Sequence, residues 1–82
     1  MPVVSRFYGI VIKMFFSEHG VPHFHAVYGE HVGVYAIDTL EMLEGDLPQR
    51  AHRLVREWAE IHKTQLRAMW DSKDFNSLPG LN

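Results

Sequence analysis

The residues best able to do chemistry lie in the stretch Glu18-His19-Gly20-Val21-Pro22-His23-Phe24-His25, which carries three of the chain's six histidines. Histidine is the side chain whose ordinary pKa puts a change of charge near neutral pH, so neighbouring imidazoles can act as general base and general acid. The same nitrogens, with a carboxylate nearby, can ligate a divalent metal. In an extended segment the side chains alternate, so His23 and His25 share one face and Phe24 takes the other. His19 sits in the turn that precedes them. The catalytic candidates are therefore His19, His23 and His25, joined by Arg6 as a cation able to clamp a phosphate. The alternative reading makes His19, His23 and His25 a metal site; the acid–base reading needs no cofactor. His31 and His52 read as surface residues. His62 has Trp58, Leu66 and Met69 around it on a helical stripe, and reads either as a hydrogen-bonded core histidine or as one that orients the strand histidines from across the core.

Local patterning predicts the elements that must hold these groups. Arg6 to Phe16 is rich in β-branched and aromatic residues and predicts a first strand. Ser17 to Pro22 is a turn cluster, His23 to Tyr28 a second strand, Gly29-Glu30-His31 a tight connection and Val32 to Ile37 a third strand. Leu40 to Leu43 offers a fourth, short edge strand. Asp46 with Gln49 three residues on has capping-box spacing, and Pro48 fits a first helical turn. Ala51, Leu54, Val55, Trp58, Ile61, Leu66 and Met69 then recur as one apolar stripe. The helix runs from about Leu47 to Trp70, roughly 35 Å at 1.5 Å per residue. Its other face offers Arg53–Glu57, Arg56–Glu60 and Glu60–Lys63 as pairs of opposite charge. The expected fold is α+β: a small antiparallel sheet of three or four strands followed by one long C-terminal amphipathic helix.

In the first strand both faces are largely apolar, with Tyr8, Ile10, Ile12, Met14 and Phe16 on one and Phe7, Gly9, Val11, Lys13 and Phe15 on the other. One helix covers only one face of such a sheet. The second face is expected to meet a partner, either a second copy of the chain or a small cognate protein.

Composition sets the outer limits. At 82 residues, 46% hydrophobic and 22% charged, the chain is one globular domain, with a core over residues 3–71 and a loose tail over 72–82. The absence of cysteine removes disulfide and thiolate chemistry. The formal charge of −2 argues against strong nonspecific binding to nucleic acid, which ordinarily draws on a basic excess. The opening residues have no signal-peptide pattern and no apolar run is long enough to span a bilayer, so a cytoplasmic protein with no membrane partner is expected.

At the histidine-rich stretch the chain also resembles a known family. Ser5-Arg6-Phe7 with Gly9-Ile10, then His19 followed by Pro22-His23-Phe24-His25-Ala26, then a helix carrying Trp58 and His62, is similar to the bacterial family called domain of unknown function 4160. The likeness covers roughly residues 2 to 70. The family often has tryptophan where Phe16 stands and acidic residues at the positions of Ser17 and Glu18. The resemblance implies a genetic context like that of toxin–antitoxin pairs and brings no activity with it. Three functions are open: a toxin-like RNA-binding or RNA-cleaving module using the strand histidines, a noncatalytic module that binds a small cognate protein, and a small histidine metal-binding protein.

Overall fold

The computed structural model describes residues 3–15 and 19–81. Phe16, Ser17 and Glu18, which include the expected end of the first strand and start of the first turn, lie outside the described residues. The elements are β1 (Val3–Phe7), β2 (Ile10–Lys13), β3 (His23–Tyr28), β4 (His31–Ala36), β5 (Met42–Gly45) and α1 (Gln49–Ser72). The strands form one antiparallel sheet in chain order, β1-β2-β3-β4-β5, and the helix follows it, so the fold is α+β.

The sheet has five strands because the segment expected as one strand is a hairpin. Tyr8 and Gly9 both take left-handed backbone, with φ of 49° and 80°, and the chain reverses between them. Two successive positive φ values match the right-handed twist of the flanking strands and give the tightest hairpin connection. Phe7 then pairs with Ile10, and both are buried on the same face. The predicted split of this segment into alternating faces therefore fails at Phe7, which joins the core. The edge strand also forms, two residues later than expected, at Met42–Gly45.

Helix α1 begins after Pro48, which occupies the N-cap position with extended backbone, and no side chain caps the helix. Asp46 does not fill the capping role expected of it: its backbone N–H donates to the Val32 carbonyl and its carboxylate lies 3.7 Å from His31. Ala51, Val55, Trp58, Ala59, Leu66, Met69 and Trp70 are the buried side chains of the helix, whereas Ile61, expected on the stripe, is 63% exposed. Trp58 is the centre of the packing, stacked on Phe7 at 5.5 Å and set edge-on to Phe24 at 6.0 Å. The helix's ion pairs, among the described residues, gather at Arg67, which meets Asp38 at 2.6 Å and Asp71 at 3.3 Å, rather than at the expected pairs of the middle turns. Those contacts hold the Arg67 guanidinium even more firmly protonated than usual.

The segment read from the sequence as a loose tail is tied to the fold. After Lys73, whose left-handed backbone ends the helix, the chain returns along β1. Leu78 N–H donates to the Val4 carbonyl at 2.7 Å, and the Trp58 indole N–H donates to the Pro79 carbonyl at 2.8 Å. Phe75, Leu78 and Leu81 pack against the core. No described helix is long and apolar enough to cross a membrane.

Candidate functional site

Phe24 and Ala26 are fully buried against the helix side, so β3 turns His23, His25 and Val27 to the opposite face of the sheet. Register decides their neighbours. Lys13 pairs with His25, His25 with Val34, and Val34 with Glu44, so a single row of side chains crosses four strands. The next row runs Arg6, Val11, Val27, Val32. Apart from Trp70 near its end, the helix leaves this sheet face uncovered.

The imidazoles of His23 and His25 lie 5.4 Å apart between ring centroids. His23 Nδ1 is 2.7 Å from the Val21 carbonyl oxygen. A carbonyl can only accept, so Nδ1 carries the proton and, in the neutral ring, the basic lone pair is on Nε2. On the other side, Trp70 lies against His23 at 4.9 Å, and the Lys73 ammonium sits 3.7 Å from the indole centroid. Phe15 meets His25 edge-on at 4.8 Å. Phe15, His25, His23 and Trp70 thus form a continuous ladder of rings from the segment after β2 to the end of the helix. The two imidazoles wall a cleft of about 340 Å³ completed by Val21, Val34, Leu43 and Glu44.

Of the predicted site residues, the fold pairs His23 with His25, and the other two are not part of that pair. His19 is exposed and lines a separate hollow of about 270 Å³ with Gly20, Trp70, Asp71 and Lys73. Arg6 shares the open face but stands two strands and two residues away from His25. Strand spacing of ~4.8 Å and a rise of ~3.4 Å put their Cα atoms roughly 12 Å apart. Lys13, directly across from His25, is the nearer cation. Among the described residues no three His, Asp or Glu side chains are grouped to hold a metal ion, and His19, His23 and His25 are not such a group.

The remaining histidines divide differently from expectation. His31 is exposed, as predicted. His52 is not a simple surface residue: it is half-buried, stacks on Tyr35 at 5.6 Å and holds the Tyr35 hydroxyl at 2.7 Å through Nδ1. Burial pushes the Tyr35 hydroxyl up to about 12, against the opposing pull of the Arg56 cation. His62 packs on Trp58 at 5.1 Å with Gln65 at 3.4 Å, on the helix side of the sheet and partly open to solvent, so it does not orient the strand histidines.

The sequence reading missed Lys13, the Val21 carbonyl and Trp70 as neighbours of the imidazole pair. Lys13 was placed on the correct alternation, but its partner depends on register. The signal for Trp70 is its spacing of four from Leu66, which continues the buried stripe to the end of the helix.

Comparison with known proteins gives a family and nothing finer. The family model described as Domain of unknown function (DUF4160) matches residues 9–71. No curated protein matches the chain, and no solved structure does.

Proposed function

The chain belongs to the family described as domain of unknown function 4160, and from the surface this fold presents we propose that it is a toxin-like RNA-binding or RNA-cleaving module of a bacterial, cytoplasmic two-gene system. The observation that supports it is the imidazole pair, 5.4 Å apart on an open sheet face, in which the Val21 carbonyl fixes the tautomer of His23. A base held by a third group, beside a second titratable ring, is the arrangement acid–base catalysis asks for. On RNA, His23 Nε2 takes the proton of a 2′-hydroxyl, and the freed oxygen attacks the adjacent phosphorus. The bond from phosphorus to the 5′-oxygen breaks, and protonated His25 gives its proton to that oxygen. Lys13, opposite His25, neutralises charge on the phosphate, and Arg6 holds the strand further along the sheet. No metal takes part in this scheme. Growth of a bacterial host expressing the wild-type chain or its His23→Ala and His25→Ala variants, followed by cleavage of RNA in vitro, tests it.

A second reading draws on a different observation. Val32 and Leu43 are 44% and 43% exposed, and Val11, Val27 and Val34 are half-buried beside them on or around the same face. An apolar surface of this kind suits a small cognate protein or a second copy of the chain. The two readings are compatible: a protein that covers this face would also block the imidazole pair.

A further inference from the structure

On the helix side of the sheet, the connection between β4 and β5 and the first two turns of α1 enclose a groove of about 390 Å³, lined by Thr39, Leu40, Glu41, Met42, His52 and Arg56. His52 and Arg56 are four residues apart on the helix and so project on the same side. The His52 ring is not free to turn, because its Nδ1 is held by the buried Tyr35 hydroxyl at 2.7 Å while its face stacks on the Tyr35 ring. Tyr35 is fully buried, and its hydroxyl, pushed up to about 12, stays protonated at neutral pH. The phenol can donate to Nδ1 or accept from it; in the arrangement where it donates, the second nitrogen, Nε2, carries the ring proton and is a donor. The opposite wall is equally fixed. Leu40 takes left-handed backbone, φ 61°, with its side chain buried, its N–H bound to the Ala36 carbonyl, and the next N–H, that of Glu41, bound to the Thr39 hydroxyl oxygen.

We propose that this groove is a binding site for a phosphate group, held between His52 Nε2–H and the Arg56 guanidinium, with the Thr39 hydroxyl as a third donor. A fixed imidazole donor beside an exposed guanidinium offers charge-assisted hydrogen bonds to two different oxygens of one tetrahedral anion. Glu41 opposes it from the same wall and sets an upper limit on the charge the groove accepts. The site is independent of His23 and His25, which lie on the other face of the sheet, and it stands or falls without them.

The test is a titration of the full chain with inorganic phosphate, at constant ionic strength, followed by NMR of the histidine rings and backbone amides. The expected result is a saturable shift at the His52 ring and at the amides of residues 39–42, with acetate at the same concentration producing none. Arg56→Gln weakens phosphate binding about tenfold, the loss of one charge-assisted contact, and leaves the melting temperature unchanged because Arg56 is exposed. Glu41→Gln tightens it, because a like charge is removed. A shift that acetate reproduces, or one unaltered by Arg56→Gln, or no saturable shift at all, overturns the proposal.

Discussion

The indole N–H of Trp58 donates to the carbonyl of Pro79 at 2.8 Å, joining the centre of the helix to the end of the chain. The same ring stacks on Phe7 and meets Phe24, so one side chain links β1, β3, α1 and the C-terminal segment. Trp58→Ala is expected to cost about 3–5 kcal/mol, the range for emptying a large aromatic from a core, and to leave so small a domain largely unfolded. Trp58→Phe, which keeps most of the packing and loses the bond to Pro79, is expected to cost less. Chemical denaturation followed by circular dichroism checks both; equal losses would show that the hydrogen bond, not the packing, dominates.

Gly80 tests the docking of the C-terminal segment. A Cβ at this position would stand 2.6 Å from the Arg6 carbonyl oxygen and 2.9 Å from the Phe7 Cβ, so backbone must move. Gly80→Val is expected to lower stability by roughly 1–3 kcal/mol, as overpacking does. A melting temperature equal to that of the wild type would show that residues beyond the helix contribute nothing to the fold.

The Tyr35 hydroxyl predicts a pH dependence. Its pKa is raised from about 10 in the unfolded chain to about 12 in the fold, first by burial, so folding favours the neutral phenol. A raised pKa contributes stability that is complete below pH 10 and is lost as the pH climbs through 12. Thermal melts between pH 9 and 12 should fall over that window in the wild type and less in Tyr35→Phe. Parallel curves would remove Tyr35 from the account.

The uncovered sheet face predicts association. Sedimentation of the purified chain at high micromolar concentration should give a species heavier than the 9.5 kDa monomer, or a co-purifying protein. Val32→Lys, on that face and 44% exposed, should weaken the assembly without harming the fold. A clean monomer with no bound protein contradicts the interaction reading.

What the sequence made legible follows from locality. The strand His23–Tyr28 and the long helix were readable because their signals, alternation around Phe24 and Ala26 and the stripe from Ala51 to Met69, lie within the elements themselves. The Tyr8-Gly9 reversal was hidden because apolar residues continue on both sides of it, and a strand pattern does not reveal where one strand becomes two. Contacts set by register or by distant packing were out of reach. Lys13 meets His25 only because β2 and β3 pair in one register, and His52 is held by Tyr35, 17 residues away. The pairing of His23 with His25 was foreseeable from pleating alone; the carbonyl that orients His23 belongs to a turn whose geometry the residue types do not dictate.

The central claim, that His23 and His25 act as an acid–base pair on RNA, is tested most directly by incubating purified chain with single-stranded RNA in the presence of a chelator. The account predicts cleavage that leaves 2′,3′-cyclic phosphate ends and falls by about 10²–10⁴-fold in His23→Ala and in His25→Ala, the usual contribution of one general acid or base. Both variants should stay folded, with only the small melting loss of their ring contacts to Trp70 and Phe15, because the buried Phe24 and Ala26 fill the core. Intact RNA with the wild-type chain, or equal cleavage by wild type and both variants at matched purity, contradicts it.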